Sequence, residues 1–561
     1  MDPTNKPVEY PSNYSVVWTD EGEDRHLLKT PLPPHEPARF PWVPDQKNGT
    51  YRNPIICADY SDPDICRAGD DFYMTASSFS CVPGLPILHS RDLVNWTLVG
   101  HAFDRYIPDF DIPRHGCGVW APAIRFHDGR FYIFFGDPDN GIYMVRSKIP
   151  NAPPTEWEPL HQVRRVRGWI DTCPFWDDDG QAYLVNAFSR MRAGFRNVLH
   201  LHKMSPDGRD LLDDGVEIIS GHGQYTVIEG PKLYKRNGYY HILAPGGGVS
   251  QGYQIAFRSK NIYGPYESRI VMDRGTTPVN GPHQGGWVTT PDGREDWFVH
   301  FQELLPYGRV VHLQPMRWEN DWPLIGNDAR KSARGEPVLA HRKPAVGGAD
   351  SDADMTIAPQ TSDEFDSSVL GPQWQWWANY RAEWYSLRAR PGHLRLFPVP
   401  PNPGAPDTLF YNRPNLLLQK FPAEIFTVTA KLDLSQLAPE ACAGLVLAGK
   451  AMSAIDCRRT KDGIILTRLD WGIDDQAFPA DTPGETTEIP ATIVYLRMHV
   501  DPGGICTFQY SADGNRFSPL GPPVKAIHAM WIGAKVGLFA NCPAGAAATG
   551  HADVDWFRFS P

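Results

Sequence analysis

Five stretches decide the fold: Gly69-Asp70-Asp71-Phe72-Tyr73-Met74, Asp128-Gly129-Arg130-Phe131-Tyr132-Ile133, Asp179-Gly180-Gln181-Ala182-Tyr183-Leu184, Asn237-Gly238-Tyr239-Tyr240-His241-Ile242 and Gly293-Arg294-Glu295-Asp296-Trp297-Phe298. Each is a turn followed by an aromatic-rich strand. Aligning Tyr73, Tyr132, Tyr183, Tyr240 and Trp297 gives spacings of 59, 51, 57 and 57 residues. In three copies a similar further strand follows, Ile87-Leu88-His89-Ser90-Arg91-Asp92, Tyr143-Met144-Val145-Arg146-Ser147-Lys148 and Ile255-Ala256-Phe257-Arg258-Ser259-Lys260. Several strands per period of this length are the signature of propeller blades, so the repeat predicts a five-bladed β-propeller. A β-sandwich also has many short strands but predicts no repeat.

Each repeat is opened, eleven to fourteen residues before its aligned aromatic, by Asp62, Trp120, Asp171, Glu229 or His283. The first strand of a blade lies innermost, so equivalent openers converge on the central axis although they are far apart in sequence. Four precede backbone-shaping residues: Asp62-Pro63, Trp120-Ala121-Pro122, Asp171-Thr172-Cys173-Pro174 and Glu229-Gly230-Pro231. A single acidic residue at a strand start is as readily a solvated turn residue; three at matching positions predict a shared pocket.

The remainder of the chain fits an all-β protein. Among 561 residues there are 50 Gly and 54 Pro, which punctuate short strands and break helices. The length predicts more than one domain. Residues 1–47 are Pro-rich and read as an extended segment, 48–328 as the propeller, and 329–360, rich in Gly, Ala and Asp, as a linker. From 361 to 561 a second β pattern begins, with runs such as Phe426-Thr427-Val428-Thr429-Ala430-Lys431-Leu432 and Ala443-Gly444-Leu445-Val446-Leu447-Ala448.

A formal charge of −11 and the lack of a basic run exclude nucleic acid as an expected partner. No stretch reaches the ~20 apolar residues a membrane span needs, so no membrane partner is expected. The start, Met1-Asp2-Pro3-Thr4-Asn5, lacks a signal pattern. The expected location is therefore cytoplasmic, or secreted or periplasmic where a signal segment has been removed. Nine scattered cysteines without CxxC spacing predict mostly free, buried thiols and no structural zinc. Gly246-Gly247-Gly248 lacks the following Lys-Ser/Thr of a phosphate loop, and His200-Leu201-His202 reads as strand alternation.

Glycoside hydrolysis needs two carboxyl groups in opposite protonation states, one protonating the leaving oxygen and one activating water or attacking directly. A third carboxylate disfavours ionisation of a neighbouring acid and keeps it protonated near neutral pH, although an isolated Glu titrates near ~4.3. On this logic Asp62 is the base, Glu229 the acid, and Asp171 orients the acid and modulates its proton. Phe79 and Trp120 are candidate aromatic platforms for sugar faces. Arg309, in Gly308-Arg309-Val310-Val311-His312, is a candidate to bind ring hydroxyls and hold Asp62 charged, the other reading being a surface salt bridge. His283 is a candidate metal residue as a single ligand to a hydrated ion such as calcium, the other reading being a hydrogen-bonded core histidine. No cofactor is expected to be required for the chemistry.

With these residues in place the chain resembles glycoside hydrolase family 43. The resemblance rests on Asn53-Pro54-Ile55-Ile56, Tyr60-Ser61-Asp62-Pro63-Asp64-Ile65-Cys66-Arg67, Val119-Trp120-Ala121-Pro122, Asp171, Glu229-Gly230-Pro231-Lys232-Leu233-Tyr234 and the stretch from Gly308-Arg309 to Trp318. It implies a five-bladed propeller that inverts anomeric configuration and acts from the chain end, as a β-xylosidase or α-L-arabinofuranosidase on plant hemicellulose. The expected partner is thus an oligosaccharide substrate. Residues after 361 resemble the concanavalin-like β-sandwich appended to such enzymes, with Asp363-Glu364-Phe365-Asp366 near its start and Ala552-Asp553-Val554-Asp555-Trp556-Phe557 near its end. Acidic residues at both ends are candidates to share a calcium ion, against solvated turns as the alternative. A loop of that domain closes the pocket in relatives, but the sequence assigns no residue to it. A homo-oligomer through the sandwich is compatible with the sequence, though no residue pattern specifies one.

One departure matters for specificity. Where many β-xylosidases of the family carry an acidic residue and Trp after the Phe, this chain has Phe79-Ser80-Cys81-Val82. That altered wall leaves room for arabinofuranosidase or dual activity. Two rivals carry different expectations: a non-catalytic lectin, which needs no axial carboxylates, and an arabinan- or galactan-active hydrolase of the same fold, which needs an open groove.

Overall fold

The computed structural model describes residues 40–346, 357–402, 410–472, 482–546 and 549–561. Most of the expected N-terminal segment (1–39) and the centre of the expected linker (347–356) lie outside the described residues.

Each repeat folds as one four-stranded antiparallel meander, giving the expected five blades. Blade 1 runs Asp64–Ala68, Asp71–Thr75, Gly84–Ser90 and Thr97–Phe103, and blade 2 runs Ala123–His127, Arg130–Asp137, Gly141–Arg146 and His161–Arg164. Blade 3 comprises Trp169–Trp176, Ala182–Phe188, Val198–Met204 and Val216–Ser220, and blade 4 comprises Lys232–Arg236, Tyr239–Gly246, Tyr253–Ser259 and Glu267–Met272. Blade 5 comprises His283–Thr289, Asp296–Glu303, Arg309–Glu319 and Trp322–Ile325.

All five aligned aromatics fall on the second strand of their blade. The turns before them need left-handed backbone: Asp128 and Gly129 take φ of 45° and 73°, Asn237 and Gly238 take 51° and 75°. Two successive positive φ values define the turn that matches strand twist, and Asp-Gly and Asn-Gly are the pairs that adopt it without strain.

Blade 5 meets blade 1 through the segment ahead of it. Ile56 and Val311 exchange backbone hydrogen bonds of 3.3 and 3.0 Å, and the Asn53 amide donates to the Leu313 carbonyl at 2.8 Å. Thr50–Arg52 also pairs with Ala340–Arg342, a strand inside the expected linker.

The second β pattern forms a two-sheet sandwich. Its 7-stranded sheet is ordered Gln375–Trp376, Leu417–Lys420, Lys535–Asn541, Cys442–Ala448, Met452–Arg459, Ile464–Trp471, Thr482–Ile489. The other sheet is built around Ala552–Ser560, Phe426–Asp433, Ile493–Asp501 and Ile505–Ser511.

One apolar cluster runs from propeller residues Tyr106, Phe110 and Phe135 into sandwich residues Trp376, Trp384 and Leu396, so the two parts share a core. Polar contacts fix the seam's register: Val82 and Trp376 exchange backbone hydrogen bonds, and the Asn379 side chain donates to the carbonyls of Tyr106 and Ile107. All nine cysteines are free, and eight are buried. No helix among the described residues is long and apolar enough to cross a membrane.

Candidate active site

The openers of blades 3, 4 and 5 lie in contact, Asp171 with the Gly230 N–H beside Glu229 and Glu229 with His283, and the backbone shows how. Asp62 and Asp171 themselves have φ of 54° and 56°, Gly230 after Glu229 has 57°, and Gln284 after His283 has 37°. In blades 3 and 5 the strand register slips at this point, between Ile170 and Cys173 and between His283 and Gly285. A bulge of this kind re-aims one side chain out of the alternating pattern, here towards the axis. Holding non-glycine residues there costs about 1–3 kcal/mol each, which the paired strands on either side must offset.

Asp62 is buried and fully hydrogen-bonded. Its Oδ2 accepts from Ser61 Oγ at 2.9 Å and from Ser77 Oγ at 2.7 Å, and its Oδ1 accepts from the Arg309 guanidinium at 2.9 Å. Arg309 is only 5% exposed, so the alternative of a surface salt bridge does not describe it. Its guanidinium also faces the rings of Phe301 and Trp531, at 4.8 and 5.6 Å.

Asp171 is equally buried, and its Oδ2 accepts from the Gly230 N–H at 2.9 Å. Burial first, then the charges of Glu229 and Asp62, push the Asp171 carboxyl well above the ordinary range, against the pull of the Gly230 N–H and Lys232. Asp171 therefore favours its neutral form.

Glu229 keeps 27% of its side chain exposed, and its Oε1 lies 3.0 Å from His283 Nε2. His283 is fully buried, and its Nδ1 has no hydrogen-bond partner among the described residues. One nitrogen faces Glu229, so at most Nδ1 fits a hydrated cation. No group of three or more His, Cys, Asp or Glu among the described residues is arranged to hold a metal. In the sandwich, the acidic residues proposed to share calcium face cations instead: Glu364 pairs with Arg558, Asp553 with Arg395 and Arg390, and Asp555 with Lys431.

Phe79 is buried with φ of 52°, and its backbone pairs with Val119. It belongs to an apolar cluster against which Trp120 packs. The Trp120 ring is half-buried, its Nε1 donating to the Gly116 carbonyl at 3.0 Å. Cys81, in the departing Phe79-Ser80-Cys81-Val82 stretch, faces the sandwich, where the Lys535 ammonium reaches its Sγ at 3.3 Å.

Sequence reasoning missed two residues. Trp531, on a sandwich loop with φ of 66°, meets Trp120 edge-on at 6.4 Å between centroids. It is 41% exposed at the mouth of the site. Asp59 ties that loop down: its Oδ2 accepts from the Gly533 N–H at 3.1 Å and its Oδ1 from the Arg309 N–H at 2.9 Å. The available signal was the apolar run Met530-Trp531-Ile532 before Gly533, which fits no strand alternation. Its target was not readable because it lies in the other domain.

The arrangement offers a buried carboxylate ion-paired to Arg309, a second buried carboxyl that favours its neutral form, a partly exposed glutamate next to it in the chain of contacts, and aromatic rings nearby, the components of hydrolytic acid–base catalysis on a sugar. Comparison with known proteins agrees. Residues 51–323 match the model of glycosyl hydrolases family 43, and residues 362–560 that of the β-xylosidase C-terminal concanavalin A-like domain. A β-xylosidase of Formosa agariphila is 32% identical over 92% of this chain and 91% of its own. A non-reducing end α-L-arabinofuranosidase of Bacteroides ovatus, BoGH43B, is 29% identical over 91% of this chain and 94% of its own. The crystal structure of the BlXynB protein from Bacillus licheniformis superposes with a TM-score of 0.75 at 25% identity, covering 91% of this chain and 99% of that one. The chain therefore belongs to glycosyl hydrolase family 43, as a glycosidase that carries the family's C-terminal concanavalin-like domain.

Proposed function

We propose that this glycosidase removes a terminal pentose, xylose and/or L-arabinose, from the non-reducing end of hemicellulose oligosaccharides, by single displacement with inversion. Asp62 acts as the base that activates water. Glu229 acts as the acid that protonates the leaving oxygen. Asp171 orients Glu229 and modulates its proton. Arg309 holds Asp62 charged, and Phe79 and Trp120 line the sugar pocket.

The observation that supports this reading most is the placement of three carboxyls from blades 1, 3 and 4: Asp62 paired to Arg309 at 2.9 Å, Asp171 bonded to the Gly230 N–H that follows Glu229, and Glu229 against His283 at 3.0 Å. Trp531 supports exo action, because a ring from the second domain narrows the mouth where an arabinan- or galactan-cleaving groove would run open. The names of the two relatives support both sugars. His283 is read as the partner that steers Glu229, and calcium at its Nδ1 is a subordinate proposal, with no step of the reaction assigned to it.

The test is release of p-nitrophenol from the β-D-xylopyranoside and the α-L-arabinofuranoside by wild type and Glu229→Ala. Cleavage of either substrate, lost in the variant, is the expected result. A wild type that binds xylo-oligosaccharides and cleaves neither overturns the reading.

A further inference from the structure

Two arginine-rich stretches flank blade 3: Arg164-Arg165-Val166-Arg167-Gly168 and Ser189-Arg190-Met191-Arg192-Ala193-Gly194-Phe195-Arg196-Asn197. Neither contains an acidic residue. The first links the outer strand of blade 2 to the inner strand of blade 3, and the second joins the two middle strands of blade 3. In an antiparallel meander both kinds of connection leave from the end at which the inner strand begins. Both therefore lie on the face that carries Asp171 and Glu229.

The fold holds the two stretches against each other. The Ser189 N–H donates to the Gly168 carbonyl at 2.8 Å, and a Cβ at Gly168 would lie 2.6 Å from the Ala193 nitrogen, so the backbones are in contact. The second stretch is also tied to the site at two points. Arg192 pairs with Asp139 at 3.2 Å, with its guanidinium 5.9 Å from the Trp120 ring. Asn197 is buried with a left-handed φ of 75°, its Oδ1 accepting from the Ile228 N–H at 2.9 Å and its amide donating to the Tyr225 carbonyl at 2.8 Å. Ile228 directly precedes Glu229, so the loop runs from Trp120 to the acid.

What it presents there is apolar surface and uncompensated charge. Met191 is 81% and Phe195 46% exposed, the Phe195 ring resting on Phe188 at 4.6 Å between centroids. Arg165, Arg167, Arg190 and Arg196 are exposed, and their side chains form no hydrogen bond or ion pair among the described residues. In a chain of net charge −11 these guanidiniums reverse the sign of the surface locally. A guanidinium grips a carboxylate through paired N–H donors, and an exposed aromatic ring takes the apolar face of a sugar. An acid protonates the leaving oxygen from the leaving-group side, so the retained part of the glycan emerges beside Glu229, where this loop is anchored.

We propose that the 164–168 link and the 189–197 loop form a binding surface for the carboxylate of a uronic acid branch on the part of the glycan that stays behind, so that the enzyme prefers acidic hemicellulose oligosaccharides to neutral ones. The inference rests on the role proposed for Glu229 and names the substrate class of that same site.

The test uses three oligosaccharides with the same terminal pentose: one unbranched, one with a glucuronic acid branch on an internal sugar, and one with that branch reduced to neutral glucose. Values of kcat/KM are compared within each protein, for wild type, Arg190→Gln/Arg196→Gln and Arg165→Gln/Arg167→Gln, with Tm reporting that the fold is intact. Two exposed arginine–carboxylate contacts correspond to a preference of about 5- to 10-fold for the acidic substrate, carried by KM. That preference falls towards unity at about 1 M salt, where the screening length is ~3 Å. Its loss in either double variant is the expected result. A wild type that cleaves all three substrates equally, that favours the reduced branch as much as the acidic one, or whose preference survives in both variants overturns the inference. A wild type inactive on both pentosides overturns the hydrolytic reading instead. Calorimetric binding of the same three oligosaccharides then decides the role of the arginines: tighter binding of the acidic one, weakened in the variants, is expected, and equal binding overturns it.

Discussion

Replacing Asp171 by asparagine removes a buried charge while keeping the shape, and the consequence for stability runs opposite to that for activity. Asparagine tolerates the φ of 56° at this position at least as well as aspartate, and its Oδ1 can still accept the Gly230 N–H. Burial and the charges of Glu229 and Asp62 push the Asp171 carboxyl from 3.8 up to about 8 in the folded protein. The folded state therefore binds more protons than the unfolded chain between these values. Stability from this group is fully present below about pH 4 and is lost as pH rises through about 8. At ~1.36 kcal/mol per pKa unit the whole shift corresponds to roughly 5–6 kcal/mol as an upper bound. A realised difference of about 2 kcal/mol corresponds to roughly 4–8 °C in Tm for a domain of a few hundred residues. Differential scanning fluorimetry from pH 4 to 9 should show Asp171→Asn melting with wild type at the acid end and several degrees above it at pH 8. Activity should fall by about 10²–10⁴. An Asn variant that melts below wild type at pH 8, or a Tm difference constant across the range, would refute the reasoning.

Trp531→Ala removes the ring at the mouth, and with aromatic contacts worth ~0.5–1.5 kcal/mol it should raise KM about 2- to 12-fold while kcat changes less; steady-state kinetics on xylobiose decides this. Asp59→Ala leaves the buried N–H groups of Arg309 and Gly533 without their acceptor, at roughly 1–3 kcal/mol each, so Tm should fall by several degrees and KM rise as in Trp531→Ala. Unchanged KM in Asp59→Ala would separate that carboxylate from the placement of Trp531. Arg309→Met breaks a buried ion pair and should destabilise by about 3–5 kcal/mol in urea unfolding, with loss of most activity at every pH. Near-wild-type stability there would mean that Ser61 and Ser77 alone hold Asp62.

The five blades were legible because each carries the same turn and aromatic on its second strand, so local chemistry and global repeat agree at five places. The candidate site was legible for the same reason: Asp62, Trp120, Asp171, Glu229 and His283 occupy one repeat position, and a propeller brings such positions together. The left-handed backbone at Asp171 was not legible, since a bulge is a property of pairing between strands and not of one strand's residues. Trp531 and Asp59 belong to another class. They meet the site through the docking of two domains, and the chain between Arg309 and Trp531 carries no repeat that would align them.

These features bear on one another through electrostatics. A site that needs one carboxyl ionised and another protonated cannot be built by burial alone, because burial disfavours the charged form of any carboxyl. Differentiation has to come from where the cations sit. Arg309 reaches Asp62 directly from blade 5, and its N–H also meets Asp59, the residue that anchors the Trp531 loop. The same short stretch, Asp59 to Asp62, thus couples the charge of the base to the placement of the second domain.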